Sequence, residues 1–151
     1  MTTAKNSQIE IGRLGRECGF VPDAKRSAAI SGFAQRLQLV PEFNRKLLAH
    51  VVELAYREHH DGREPGVAYL PEVHETCGIG VDELYVILQQ LERAGFIRLK
   101  DDYPFQTVVP VDLMIEDHSP WAVMEYLVAF CKSEGIPLRD VIVDLHFEKL
   151  A

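Results

Sequence analysis

The chain has 151 residues, 47% of them hydrophobic and 26% charged, enough for one domain with a real core and too few for two ordinary ones. No stretch approaches the roughly 18 unbroken apolar residues of a membrane span, and the N-terminal MTTAKNSQIEIGR lacks the apolar core of a signal peptide. The expectation is a cytoplasmic protein with no membrane contact. Cys18, Cys77 and Cys131 are odd in number, far apart and without a CxxC pair, which is poor material for a disulfide framework or a zinc knuckle.

The formal net charge is −7, and it is unevenly spread. Residues 1–40 hold six basic side chains (Lys5, Arg13, Arg16, Lys25, Arg26, Arg36) against three acids (Glu10, Glu17, Asp23), whereas the remainder holds ten against twenty. A nucleic-acid module normally shows a basic footprint, because phosphate contacts supply most of the affinity. Here the basic part and the remainder of the chain differ in sign.

In chain order, residues 1–20 contain few apolar positions and three glycines, which predicts an irregular arm. Asp23 to Leu39 is helix-like, with Ala28, Ala29, Phe33 and Leu37 as apolar positions. Pro41 suits the opening of a second helix, whose first N–H groups have no intrahelical partner. Phe43, Leu47, Leu48, Val51, Leu54 and Ala55 then recur at helical spacing, with Arg45, His50, Glu53 and Arg57 on the other side. This long amphipathic helix is expected to stop near His60, before Asp61-Gly62 and Pro65-Gly66.

Val67–Leu70 is a short extended run, after which Pro71 opens a two-turn helix that Gly78 terminates as a C-cap glycine. Val81 begins the next helix, with Asp82 and Glu83 at the positive end of its dipole. At 100° per residue, Val81, Leu84, Tyr85, Leu88 and Leu91 share a face expected to bury. Asp82, Val86, Gln89, Gln90 and Arg93 lie on the far side, with Glu83 at its edge. Phe96 to Lys100 alternates at period two, Asp101–Pro104 is turn chemistry, and Phe105 to Val111 returns as a second strand.

Helix, turn, helix and hairpin in this order are the parts of a winged helix-turn-helix. The stretch LQQLERAGFIRLKDD resembles the end of a recognition helix running into a wing in bacterial winged-helix regulators. GIGVDELYVIL is similar to their turn and the start of their recognition helix. The resemblance covers about residues 42–113 and points to a superfamily rather than to one function. There are departures. His74 stands where such families favour a small residue that lets two helices cross closely, and acids occupy the start of the recognition helix (Asp82-Glu83) and the wing tip (Asp101-Asp102).

Beyond the wing, Ser119 and Pro120 are set to start a helix running to about Glu134. Its apolar stripe of Trp121, Met124, Leu127, Val128 and Cys131 is widened by Val123, Tyr126 and Phe130. A helix apolar over so much of its circumference is buried deeply or packs against another chain, so core and homodimer both stay open. The last segment, LRDVIVDLHFEKL, fits helix or strand, and helix is the expectation. The expected fold is mainly α with a small β-hairpin wing (α+β). It consists of a basic arm and helix over residues 1–40, a winged helix-turn-helix over 41–113 and a C-terminal helical extension over 114–151.

Enzyme motifs are missing: there is no GxSxG elbow, Walker loop, HExxH or GxGxxG. His59-His60 and His74-x-x-Cys77 lack the paired short spacings of a structural zinc site. No catalysis, cofactor or metal is expected. The candidate binding residues are Val86, Gln89, Gln90 and Arg93 on the recognition helix, with Arg98 and Lys100 on the wing. Gln can read adenine and Arg can read guanine. The resemblance implies a non-catalytic DNA-binding transcription or replication regulator. The acidic surface allows the alternative, an adaptor that binds a basic protein partner and no DNA. Arg13, Arg16, Lys25 and Arg26 serve phosphate in the first reading and the chain's own acids in the second.

Overall fold

The computed structural model describes residues 23–57, 66–102, 105–110 and 122–150. Helix α1 (Asp23–Gln38) turns into α2 (Glu42–Tyr56), with Pro41 at the N-cap of α2. Helix α2 is the hub. Leu47, Leu48, Ala49, Val51, Val52, Leu54 and Ala55 are all buried along it. A helix apolar over so wide an arc needs neighbours on several sides, and α2 has them in α3 (Leu70–Cys77), α4 (Val81–Arg93), β1 (Ala68–Tyr69), β3 (Phe105–Pro110) and α6 (Leu138–Ile142).

The expected two-stranded ribbon is a three-stranded antiparallel sheet of order β1-β3-β2, with β2 spanning Ile97–Asp102. Ala68 pairs with Val108 and Tyr69 with Thr107, while Leu99 faces Val108 from the other side. Two residues are too few to show a period, so only the unpaired edge of β3 makes a strand of Ala68–Tyr69. Asp101 and Asp102, expected in the turn, extend β2, and Tyr103 and Pro104 lie outside the described residues. Helix, strand, helix, turn, helix and hairpin, with the first strand added to the last, make a winged-helix-like α+β fold.

Gly78 ends α3 in the left-handed region, at φ +68°, with its N–H donating to the His74 carbonyl at 3.1 Å. That is the expected C-cap. The residue that α3 buries is Val73, and His74 is exposed, so the valine rather than the histidine enters the core.

Other expectations are corrected by packing. Phe43 is 50% exposed and Asn44 is buried instead, because the first turn of α2 meets α4 through a polar contact. Val81 is 48% exposed, and Ile87 is buried in the core instead. Arg45, expected on the solvent side, donates from Nη1 to the Val40 carbonyl at 2.6 Å and from Nε to the Val143 carbonyl at 3.0 Å. It thereby ties the α1–α2 turn to the C-terminal tail. The regular part of α2 ends at Tyr56 rather than near His60, which lies outside the described residues.

Helix α5 (Ala122–Glu134) spends its apolar stripe inside the chain. Val123, Met124, Tyr126, Leu127, Phe130 and Cys131 are buried, against α1 and α6 among others. Ser119, Pro120 and Trp121 lie outside the described residues. The ambiguous last segment is helical in α6 and in a 3-10 turn at Phe147–Leu150, and its apparent alternation is not used in a sheet. Phe33 of α1 gathers these parts. Its ring meets Phe96 edge-on at 5.3 Å and Phe147 at 6.1 Å, joining α1, the start of β2 and the tail.

Candidate binding face

Helix α4 is held by its inner face, where Leu84, Ile87, Leu88 and Leu91 are buried. Burying each leucine stabilises the helix position by roughly 1.5–3 kcal/mol. Two polar seams then fix its rotation. On one side the Asn44 amide donates from Nδ2 to Gln90 Oε1 at 2.8 Å. On the other, the Tyr85 hydroxyl bonds the Gln106 side-chain oxygen, and the Leu99 N–H donates to Glu92 Oε2 at 2.8 Å. Leu99 lies on β2, the edge strand, so Glu92 also satisfies a backbone donor that an edge leaves open.

The outer face is what remains. Asp82, Val86, Gln89 and Arg93 run along it as one stripe, all exposed, with Val86 at 52%. Arg98 and Lys100 are exposed on β2, which begins beside the C-terminal end of α4. All six candidate residues are exposed, four on α4 and two on β2. Gln90 stands at the edge of the stripe, where its side-chain oxygen accepts from Asn44, which leaves Gln89 as the glutamine within the stripe. The expectation of Tyr85 in the buried stripe is half met, for it is only partly buried and spends its hydroxyl on Gln106.

Charge along this face is split by position. Glu75, Asp82 and Glu83 are exposed at the end where α3 turns into α4, while Arg93, Arg98 and Lys100 are exposed at the other end. Val81 and Val86 lie between and beside the acids, and neither belongs to the core. Sequence periodicity places Asp82, Gln89 and Arg93 correctly. It misses Val81 as a surface residue and Asn44 as the partner of Gln90, for Asn44 stands beside Arg45 and Lys46 and nothing in the local sequence marks it as buried.

Elsewhere, a groove of about 450 Å³ opens between α2 and α5, lined by Val52, Tyr56, Val128, Cys131 and Ile136 among others. The Cys131 thiol there is pushed up to about 11, by burial first and by nearby Asp140 second. Burial also raises Cys77. Both thiols therefore stay protonated at neutral pH, and thiolate is the reactive form. Among the described residues no group of three or more His, Cys, Asp and Glu side chains is placed to hold a metal ion, and His59 and His60 lie outside that set. No described helix is long and apolar enough to cross a membrane. Compared with protein-family models, curated proteins and solved structures, the chain matches none of them.

Proposed function

We propose that the protein is a non-catalytic regulatory module that binds a protein partner through the outer face of α4 and the adjoining wing. The observation that carries this reading is the make-up of the face: two half-exposed valines, Val81 among the carboxylates of one end and Val86 between them and the cations of the other. Protein interfaces combine an apolar centre with a charged rim and use complementary potentials to steer encounter and fix register. A duplex presents phosphate on every side, and Asp82 and Glu83 at the start of the recognition helix repel it. The partner surface this face suits is basic opposite Asp82 and Glu83 and acidic opposite Arg93.

Duplex DNA is the second reading. Gln89 and Arg93 share the outward stripe and Arg98 and Lys100 are exposed on the wing, so base-reading and phosphate-contacting groups stand on adjacent elements. Fluorescence anisotropy with random duplex across a salt series separates the two, paired with a photo-crosslinking residue at position 89 in the native cell. The protein-partner reading expects no salt-sensitive DNA binding and a crosslinked product whose mass differs from twice the chain. Binding at low salt that weakens steeply as salt rises would overturn it in favour of DNA.

A further inference from the structure

The outer stripe of α4 has a symmetry that its individual residues do not advertise. Asp82, Val86, Gln89 and Arg93 are separated by four, three and four residues, a spacing that is unchanged when read backwards. Two copies of the helix laid antiparallel, face to face, therefore bring Asp82 opposite the second copy's Arg93 at both ends. Val86 then lies opposite Gln89 on either side of the centre. Parallel packing would instead set acid on acid and base on base. The flanking charges on the acidic side follow the same sense, for Glu75 and Glu83 are exposed there, while on the other side Arg98 and Lys100 are exposed on β2, a strand that runs on into Asp101 and Asp102. Asp82, Glu83, Arg98 and Lys100 take part in no ion pair among the described residues, so pairing displaces none.

We infer that a second copy of this chain docks on the outer face of α4, antiparallel about a two-fold axis near Val86 and Gln89. An isologous contact of this kind requires a self-complementary patch, in which each residue meets its counterpart's partner. Helix α4 has 13 residues, about 20 Å at 1.5 Å per residue. One such helix per protomer buries less than the roughly 1,200–2,000 Å² of a standard stable interface. The pair is thus weak, reversible and sensitive to salt. The inference rests on reading this face as a binding face, and it adds regulation: self-pairing covers Val86, Gln89 and Arg93, so another partner must displace the second copy.

Sedimentation equilibrium of the purified full chain, from micromolar to millimolar at low and high salt, tests the pairing without any other partner. At low salt the wild type should gain mass with concentration towards a dimer, and lose that gain at high salt. Asp82→Arg and Arg93→Asp each reverse one charge at both ends of the pair, and each should weaken association about tenfold or more. Mixing the two variants restores opposite charges at both ends, and the double variant does so within one chain. Both should associate again, with circular dichroism confirming that every variant is folded. A wild type that stays monomeric at millimolar concentration and low salt overturns the inference, as do single reversals that leave association unchanged or a folded mixture that fails to recover it. Crosslinking of position 89 to a different protein is judged separately, so the pairing and the partner reading fail independently.

Discussion

The two faces of α4 belong to one helix and obey different physics. Its inner face is a continuous set of four aliphatic residues against the hub helix and the sheet. The outer one alternates acid, valine, amide and base over the same length and is exposed at each of those positions. Volume and shape govern the inner face, because a packed interior cannot absorb a missing methylene. Charge sign and spacing govern the outer face, whose residues are bathed in solvent in the single chain. Stability and recognition can therefore be altered independently on opposite sides of the same 13 residues.

Several substitutions test that separation. Leu88 is fully buried, so Leu88→Ala removes apolar contact and leaves a cavity, and is expected to cost about 2–5 kcal/mol. Chemical denaturation reads this as a lower midpoint, and a loss under 1 kcal/mol would show that the α2–α4 contact is loosely packed. Gln90→Ala sits on the seam between the faces. It strands the buried Asn44 amide, with an expected cost of about 1–3 kcal/mol, and should leave the outer stripe able to bind.

Gly78→Ala acts on the turn that aims α4. An added Cβ at Gly78 would meet no other atom within 4 Å, so the cost is that of the left-handed backbone alone, about 1–2 kcal/mol. A thermal melt measures it. At the far end of the scale, Gln89→Ala and Val86→Ala should shift stability by no more than about 0.5 kcal/mol while weakening binding to the partner. If either moves the melting midpoint as much as Gly78→Ala does, the outer face is structural and the contrast between the faces collapses.

Much of this architecture is legible in the residues. Gly78 as a C-cap, Pro71 at a helix start, the run from Leu47 to Ala55 and the alternation after Phe96 are local signals, each backed by a backbone or periodicity rule that needs no partner. The candidate face was legible nearly as far, because a helical stripe follows from 100° per residue. Periodicity went wrong at the ends of helices. Phe43 and Val81 fit their stripes by angle, but each stands in a first turn and is about half exposed, because burial there depends on which neighbours the turn meets.

Composition and spacing alone thus determined the helix order, the turn between α3 and α4, the hairpin and the mixed charge of α4, since all are set by interactions within a few residues. Tertiary structure decided the rest. It made a strand of Ala68–Tyr69 by giving it the edge of β3, buried Val73 rather than His74 and tied Gln90 to Asn44. It drew Arg45 inward to two carbonyls 98 and five residues away, and it folded the apolar stripe of α5 into the chain's own core. Each of those outcomes depends on groups distant in sequence arriving at one place, which no local period can encode.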